Sequence, residues 1–338
     1  MKTSDFDYPL PQKYIAQVPL EPRDSSRLMV YRREDKTVIH SVFRNLRTFL
    51  DPGDLLVLNQ TRVIPARLFG KKARTGGKVE VLLLKRLDER KWEAIVGGKR
   101  LVQGKRITFD ETLYGEIIDV LDGPKRVLRF SSSIDGFLEV HGHVPLPPYI
   151  HTPLMNPNRY QTVYARENGS AAAPTAGLHF TDGLLDELKA SGIGFAHVTL
   201  HVGLDTFAPV TEDDPREHKI HTEWCSLDRQ NAEKINRTIA AGKRVVAVGT
   251  TSVRTLETAS REKVRGVSPF EGATSLFILP GYQFKVVDAM ITNFHLPKST
   301  LLMLVSAFTS REEILNLYET AKSQGYRFFS FGDAMLIL

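Results

Sequence analysis

Five short segments of strand-like composition lie close together between residues 78 and 130, and glycine-containing turns punctuate the region. The segments cover residues 78–85, 91–96, 105–109, 114–120 and 125–130. Short strands at this spacing are typical of a small β-barrel or sandwich, because each strand can pair with the next across a tight turn. The pattern predicts an all-β barrel domain at residues 61–149.

The remainder of the chain has a different pattern, in which helices and strands alternate after a proline-rich linker near residue 150. Helices are predicted at about 181–191 and 228–241, and strands at 54–59, 195–202, 245–248, 275–279 and 284–291. Alternation of this kind is typical of an α/β fold. We therefore predict an α/β catalytic domain with a mixed sheet, formed by residues 1–60 and 150–338, into which the barrel is inserted.

Composition places the chain among ordinary globular proteins, with 338 residues, 42% hydrophobic and 25% charged. No apolar run approaches the ~18 residues that a membrane span requires, and the first residues do not resemble a signal peptide. Cys225 is the single cysteine, so neither an internal disulfide nor a zinc site built from several thiolates can form. These features predict a cytoplasmic protein without membrane contact, and we take a monomer as the default.

Positive charge is concentrated in the predicted barrel. Residues 61–106 contain fourteen Lys and Arg and four Asp and Glu, a net charge of +10 in a chain whose total is +6. A field of this sign attracts polyanions, and RNA is the obvious candidate, although a solvated basic face would give the same composition. The candidate RNA-binding residues are Arg62, Arg67, Lys71, Lys72 and Arg74.

A run of small residues at 170–179, Ser-Ala-Ala-Ala-Pro-Thr-Ala-Gly-Leu-His, allows the backbone to approach a ligand closely. The strand predicted at 195–202 follows, and its alternation places His197, Thr199 and His201 on one face. Together with His179 they indicate a polar site beside a packed core. Histidines that are hydrogen-bonded but take no part in chemistry are the alternative interpretation.

Two strand ends carry further candidates. The strand at 245–248 leads into residues 249–252, Gly-Thr-Thr-Ser, where a helix N-terminus could bind a carboxylate or phosphate. A capped turn without a ligand explains the same residues equally well. Asn293 and His295 follow another predicted strand, which is where α/β proteins place ligands.

Common nucleotide-binding and zinc-protease motifs are absent from the sequence. His218, His221 and Glu223 could bind a metal together with His179 or His201, but this spacing is weakly specific. A metal-dependent hydrolase is therefore one alternative function, and a non-catalytic RNA-binding protein is another.

Several long phrases resemble one enzyme family. They are residues 160–165, 172–180, 199–203, 249–257, 291–304 and 326–335. In this order and over nearly the whole chain, they resemble the S-adenosylmethionine:tRNA ribosyltransferase-isomerases of queuosine biosynthesis. Asp205 departs from the pattern, since a small residue is expected there, and it inherits no role.

The resemblance implies a defined reaction. The ribosyl moiety of S-adenosylmethionine moves onto 7-aminomethyl-7-deazaguanine at the wobble position of tRNA and isomerises, which gives epoxyqueuosine and releases adenine and methionine. S-adenosylmethionine is thus a substrate, and neither an external cofactor nor a metal is implied. The sulfonium acidifies the C5′ hydrogen, so the chemistry requires a base near C5′ and a proton donor for the departing adenine.

Site residues follow from the resemblance together with residue chemistry. His179 and His201 are the predicted base and acid, with His221 and Glu223 as orienting or alternative proton carriers. The predicted substrate-binding residues are Arg159, Tyr160 and Gln161 for the modified base or ribose, Thr250, Thr251 and Arg254 for the methionine carboxylate, and Thr175, Asn293, His295 and Lys298 for the rest of the pocket.

Overall fold

The computed structural model describes residues 1–203, 206, 209–262 and 264–338. The chain divides into two compact units, one formed by Met1–Arg62 and Pro147–Leu338 and the other by Val63–Leu146. The first contains a nine-stranded mixed sheet, and the second contains a closed barrel. The predicted fold class, α/β with an inserted β-barrel, is confirmed.

Four strands precede the barrel: β1 Arg27–Tyr31, β2 Val38–Val42, β3 Leu55–Asn59 and β4 Thr61–Val63. A 3-10 helix, Phe43–Phe49, connects β2 and β3. All five residues of β3 are buried, as its continuous apolar sequence predicts for a central strand.

Six antiparallel strands form the barrel: β5 Arg67–Lys72, β6 Lys78–Arg86, β7 Lys91–Gly97, β8 Arg106–Thr108, β9 Tyr114–Val120 and β10 Lys125–Phe130. They close in the order β10-β7-β6-β5-β8-β9, and a short helix, α1 Asp135–His141, follows. Alternate residues such as Val79, Val81 and Leu83 point into the barrel core, while the intervening residues face outward. The period of two explains why the sequence pattern located five of these strands; β5 was not predicted.

The chain then returns to the first unit. Its strands are β11 Glu167–Ser170, β12 Gly194–Leu200, β13 Glu223–Leu227, β14 Val245–Val248, β15 Phe270–Thr274, β16 Ala289–Asn293 and β17 Ala334–Ile337. Its helices are α2 Asp182–Ala190, α3 Arg229–Ala240, α4 Thr250–Thr258, α5 Thr300–Phe308 and α6 Arg311–Ser323. Thr181, Asp228, Ser299 and Ser310 cap four of these helices, each accepting a main-chain N–H with its side chain.

The nine-stranded sheet has the order β15-β13-β12-β3-β14-β16-β17-β1-β2. Strands β12, β3, β14 and β16 are parallel to one another, so their carboxyl ends meet at one edge. The remaining neighbouring pairs are antiparallel, except β1 with β17. The parallel block forms the centre of the sheet.

Helices cover both faces of this block. Leu55 and Val57 of β3 contribute to a core with α3, α4, α5 and α6, whereas Leu56 and Leu58 contribute to a second core with α2 and the Phe43–Phe49 helix. Burial on both faces is typical of parallel strands. The apolar sequence around α5 fits this arrangement, since most of its residues are buried.

One predicted region differs from the structure. Strands were predicted at 275–279 and 284–291, but residues 275–288 form no strand, and β16 begins at Ala289. The buried Glu257 carboxylate accepts the main-chain N–H groups of Lys285, Val286 and Val287 at 2.9, 3.1 and 3.2 Å. These donors therefore bond a side chain from α4 rather than a neighbouring strand.

Within the described part of the chain, no helix combines the length and the apolar character needed to cross a membrane.

Candidate active site

The candidate site lies at the edge where β3, β12, β14 and β16 end. Asn59, Val248 and Asn293 are the last residues of three of these strands, and His201 directly follows the fourth. Ligands of α/β proteins bind beyond the carboxyl ends of such strands, so the topology brings the predicted residues to the expected edge.

Asn59 holds two of these strand ends together. Its side-chain Nδ2 donates to Leu200 O at 3.0 Å, and its Oδ1 accepts from the main-chain N–H groups of Thr61 and Leu200, both at 3.1 Å. The side chain is fully buried, and both its amide oxygen and its amide nitrogen are bonded. Asn59 therefore positions Thr61 and the segment that carries His201.

The small-residue segment packs along the same edge. Ala171 N donates to Val202 O at 3.0 Å, and Val202 N donates to the Ser170 hydroxyl at 2.9 Å. The segment ends in a 3-10 helix, Thr175–His179, in which Gly177 is buried. A Cβ at Gly177 would overlap the Tyr164 hydroxyl, so this approach requires glycine.

His179 lies in a buried hydrogen-bonded cluster. Its Nδ1 is 2.7 Å from the Ser26 hydroxyl, and its Nε2 is 3.1 Å from Asn293 Nδ2. Because the amide Nδ2 can only donate, Nε2 accepts and Nδ1–H donates to Ser26. Thr175 donates in turn to Asn293 Oδ1 at 3.0 Å, so His179, Thr175 and Asn293 form one network.

Burial, and then the nearby Arg327 and Arg23, lower the pKa of His179 to about 3. The imidazole is therefore neutral at pH 7, and both ring nitrogens already have partners. This geometry favours a positioning role for His179 over proton exchange with a substrate.

Three arginines, Arg23, Arg159 and Arg327, line a small cavity beside His179. Arg23 donates to the main-chain oxygens of Asn158 and Gln161 at 2.9 and 2.8 Å. Burial, and then the neighbouring Arg159, lower the pKa of Arg23 to about 10. The cavity is thus positively charged and is built partly from the predicted substrate-binding segment.

His201 occupies a more open position. The Trp224 ring stacks on it with centroids 5.1 Å apart and planes inclined by 17°, and Trp224 itself is 39% exposed. Its Nδ1 is 2.8 Å from the Thr61 hydroxyl. Gly169, at φ +143°, approaches the ring so closely that a Cβ there would lie 2.8 Å from Nε2. Burial lowers the pKa of His201, which favours the neutral ring at pH 7.

When the Thr61 hydroxyl directs its proton to Glu167 O, 3.5 Å away, it accepts the Nδ1–H of His201. The lone pair then resides on Nε2, for which no partner is found among the described residues. A neutral imidazole with one oriented, unprotonated nitrogen has the form of a general base.

Glu223 directly precedes Trp224, whose main-chain oxygen accepts from His201 N, and it forms a buried ion pair with Arg254. Oε1 of Glu223 accepts from Gly203 N at 2.8 Å and from the Thr206 hydroxyl at 2.9 Å, while Oε2 pairs with Arg254 Nη1. The two side chains are only 4% and 6% exposed. The carboxylate therefore fixes the guanidinium and anchors the loop that follows β12.

Arg254 retains one unused donor. Nε donates to Leu276 O at 3.1 Å, but the buried Nη2 has no hydrogen-bond partner among the residues that the structure describes. Arg254 lines a narrow cleft in which the centre of a water-sized sphere has only about 20 Å³ of free space. The cleft is also lined by Thr206, His218, His221, Glu223, Phe277, Thr300 and several aliphatic residues. An unpaired buried guanidinium N–H beside an apolar wall suits a ligand with a carboxylate and an apolar chain.

Comparison with known proteins identifies the family. Residues 3–337 match the family model described as queuosine biosynthesis protein. The S-adenosylmethionine:tRNA ribosyltransferase-isomerases of Symbiobacterium thermophilum and Carboxydothermus hydrogenoformans are 56% and 54% identical to this chain, and each match covers 100% of both proteins. This chain belongs to the queuosine biosynthesis protein family. The resemblance found in the sequence is confirmed.

A solved member of the queuosine biosynthesis family has the same fold. The crystal structure of the S-adenosylmethionine tRNA ribosyltransferase from Thermotoga maritima is 40% identical and superposes with a TM-score of 0.58. The match covers 99% of this chain and 100% of the other. It supports both the α/β sheet and the inserted barrel.

The other predicted site residues of this chain differ in burial and in hydrogen bonding. Thr250 and Thr251 begin α4 beyond β14, and the buried Thr251 hydroxyl has no partner among the described residues. Tyr160 is fully buried against Phe331, and Gln161 is buried with its main-chain oxygen bonded to Arg23. Arg159 pairs with Glu21 and donates to Leu20 O.

The side chains of His295 and Lys298 are bonded to other residues of the fold. His295 Nε2 is 2.7 Å from the Thr292 hydroxyl, its main chain bonds Tyr8 and Tyr318, and burial lowers its pKa to about 3. Lys298 forms an ion pair with Asp7 at 2.7 Å. These contacts indicate structural roles, because they use the groups that a substrate would need.

Sequence reasoning missed several positioning residues. Ser26, Thr61, Gly169 and Trp224 contact one or the other of the two histidines. Gly169 directly precedes the small-residue run at 170–179, whereas no pattern in the sequence indicated Ser26. Asp205, which departs from the family pattern, lies outside the described residues.

The predicted RNA-binding residues differ in their availability. On the barrel, Lys71 and Arg74 are exposed, whereas Arg67 pairs with Glu80 at 3.0 Å and Lys72 donates to Lys99 O at 2.5 Å. Arg62, at the end of the other unit, is exposed. Arg62, Lys71 and Arg74 are therefore less encumbered than Arg67 and Lys72.

The alternative of a metal site finds no support in the side-chain arrangement. Over the described ranges, no three His, Cys, Asp or Glu side chains come together as a group that could hold a metal ion. His218 instead bonds Glu212 at 2.8 Å through Nδ1.

The buried histidines predict a pH dependence. The pKa values of His179 and His295, about 3 in the folded protein against ~6.5 when unfolded, mean that the unfolded chain binds more protons between these values. The free energy of unfolding should therefore decrease as pH falls from ~6.5 towards 3, and should lack this contribution to pH dependence above pH 7. NMR titration should show both rings neutral from pH 5 to 8, with the variants His179→Asn and His295→Gln providing assignments. A midpoint near pH 6 for either ring would contradict this interpretation.

Proposed function

We propose that this chain transfers the ribosyl moiety of S-adenosylmethionine to 7-aminomethyl-7-deazaguanine at the wobble position of tRNA and isomerises it. The products are tRNA carrying epoxyqueuosine, adenine and methionine. The observation that carries this proposal is the full-length identity of more than 50% to relatives whose names specify S-adenosylmethionine, tRNA and both reaction steps. Metal-dependent hydrolysis and RNA binding without catalysis have no comparable support.

The cleft beside Arg254 is the proposed site for the methionine end of S-adenosylmethionine. The unpaired Nη2 would donate to the carboxylate, and the apolar wall that includes Phe277 would contact the methylene chain. Thr250 and Thr251, at the N-terminus of α4, would supply further polar contacts to the same end. A hydrogen bond from a buried cation to a carboxylate is among the stronger contacts in proteins.

His201 is the proposed general base for the C5′ hydrogen. The ring is neutral at pH 7, Thr61 orients it through Nδ1, and Nε2 remains available. His179 acts by holding Asn293 and Thr175, and thereby the small-residue segment, in place. These assignments separate the two histidines that the sequence left equivalent.

Proton delivery to adenine is assigned to His221, which lines the cleft next to Glu223. Glu223 itself accepts donors on both oxygens, which suits it to orient Arg254. Arg159, with Tyr160 and Gln161, is proposed to hold the modified base or its ribose through the arginine-lined cavity.

The barrel is proposed to bind the phosphate backbone of tRNA through Lys71 and Arg74. Arg62 is proposed to contribute as well, and Arg67 and Lys72 contribute less because they are already bonded. Phosphate contacts of this kind position an RNA without reading its sequence. We further propose that the protein acts in the cytoplasm as a monomer without a metal or external cofactor, since all assigned groups belong to one chain and the reaction involves no redox step.

The reaction itself is the first test. The purified chain should release adenine and methionine in equal amounts from S-adenosylmethionine, only when the tRNA bears the aminomethyl-deazaguanine base, and mass spectrometry should detect the matching mass gain on the RNA. His201→Asn should lower the rate by about 10²- to 10⁴-fold, the usual contribution of a general base, without loss of substrate binding. His197→Asn, on the same strand, is the matched control. An unchanged rate in His201→Asn would exclude His201 as the base.

Arg254→Lys tests the methionine subsite, because it keeps the positive charge beside Glu223 but removes the second guanidinium donor. Methionine binding, measured by calorimetry, should weaken about 10- to 150-fold, as expected for one hydrogen bond to a charged group. Adenine binding should be unchanged. Arg265→Lys, at an exposed arginine, is the control. An equal loss for adenine and methionine would argue against the subsite and for a general disturbance of the cleft.

Charge reversal tests the RNA surface. Lys71→Glu and Arg74→Glu should each weaken tRNA binding and reduce the slope of log K against log salt by about 0.7 to 0.9 per lost phosphate contact. Lys72→Glu should have a smaller effect because its ammonium already bonds Lys99 O. Lys189→Glu, on the exposed face of α2, serves as the control. Unchanged slopes for Lys71 and Arg74 would place the RNA contacts elsewhere.

A further inference from the structure

We propose that Phe69, on the outer face of barrel strand β5, is a stacking site for an unpaired nucleobase of the tRNA. The inference rests on the proposed function, because it takes RNA as the macromolecular substrate. It adds a base contact to a surface whose other proposed contacts are to phosphates.

Phe69 points outward from the barrel. It is 56% exposed, whereas its neighbour Leu68 is buried in the barrel core. A Cβ at Gly70 would lie 2.8 Å from an Ile107 methyl group, which confirms that the alternate positions of β5 face inward. The ring therefore contributes little to the core, and its position next to Arg67 and Lys71 on the outer face requires another explanation.

The charges around the ring favour an anionic partner. Lys71 lies directly opposite Lys78 on β6, both are exposed, and neither has a carboxylate partner among the described residues. Like charges at directly opposed positions destabilise a strand pair. A phosphate close to both ammonium groups would relieve this repulsion, so the pair is better suited to the RNA-bound state than to the free protein.

The ring is held by its surroundings. His143 contacts Phe69 edge to face, with centroids 5.3 Å apart and an angle of 65°. On the other side, Glu80 lies opposite Phe69 and is engaged by Arg67 at 3.0 Å. The carboxylate directly opposite Phe69 is thereby paired with a cation, which weakens its repulsion of a polyanion.

Charge is distributed unevenly within the barrel unit. Residues 63–146 contain sixteen Lys and Arg and eleven Asp and Glu. Of these, residues 107–146 contain only three Lys and Arg but seven Asp and Glu. The basic excess thus belongs to β5–β8, which are contiguous around the barrel in the order β7-β6-β5-β8. Phe69 lies on one of the two central strands of this basic half.

An exposed aromatic ring among unpaired cations matches single-stranded RNA, in which unstacked bases and phosphates alternate. A fully paired helix offers phosphates but no free base face. The proposed occupant is therefore a base in a single-stranded part of the tRNA.

The experiment compares two RNA probes, an unmodified tRNA transcript and a fully paired RNA duplex with the same number of nucleotides. Phe69→Ala should weaken binding of the tRNA about 5- to 150-fold, which corresponds to the loss of one stacked base. Binding of the duplex should be unchanged. The salt slope should also remain that of the unmodified protein, because no charge is removed, in contrast to Lys71→Glu.

Two variants guard against a folding defect. Phe69→Tyr keeps an aromatic face and should bind the tRNA within about twofold of the unmodified protein. Val120→Ala removes another exposed apolar side chain from the same barrel, 45% exposed, and should leave tRNA binding unchanged. Thermal unfolding of all variants checks the barrel.

Several results would overturn the proposal. They are equal affinity of Phe69→Ala and the unmodified protein for tRNA, an equal loss for duplex and tRNA, or a Phe69-dependent dimer in sedimentation with no effect on RNA binding. Failure of the proposed function is distinguishable, because the unmodified protein would then neither bind tRNA nor release adenine. Failure of the stacking site alone would leave both properties intact.

Discussion

The parallel hydrogen bonding of β3 to β12 on one side and to β14 on the other is the constraint on which the site depends. Val198 aligns with Asn59, and Val248 aligns with Leu58, so strands that are far apart in sequence end at the same level. Because parallel strands end at one edge, the segments that follow them must share that edge. This backbone register alone brings together the segments that carry the proposed chemistry.

At that edge, buried polar groups are satisfied in two ways. The Asn59 side chain bonds the main chain of Thr61 and Leu200, and the side chains of His179 and Asn293 bond each other, which fixes the backbone. His201 and Arg254 are also fixed, by Thr61 and Glu223, but each retains one nitrogen without a partner among the described residues. Of these two nitrogens, Arg254 Nη2 is a buried donor, and leaving it without a partner is costly unless a ligand accepts from it. This difference separates positioning residues from the groups proposed to act on substrates.

The barrel and the α/β unit were recognisable from sequence because their periods differ. Outward and inward residues alternate in β6 and β7, while α3 and α6 begin at capping residues that the sequence displays. The strands predicted within residues 275–288 are absent for a specific reason. Its apolar residues, such as Phe277 and Phe284, do pack against the main core, but their backbone is bonded partly by Glu257. Hydrophobic patterning reports burial and cannot report which partner takes the backbone hydrogen bonds.

The sequence by itself determined the two-part fold, the basic character of the barrel and the family, because periodicity, charge and long motifs are properties of the linear chain. It also selected His179 and His201 as base and acid, but it did not decide which histidine has which role. Only the tertiary structure distinguished them: His179 is buried with both ring nitrogens bonded, whereas His201 has one nitrogen without a partner among the described residues and stacks on Trp224. That distinction depends on partners such as Ser26 and Thr61, which lie about 140 to 150 residues away in sequence. Burial and protonation are set by such long-range neighbours, and no local pattern encodes them.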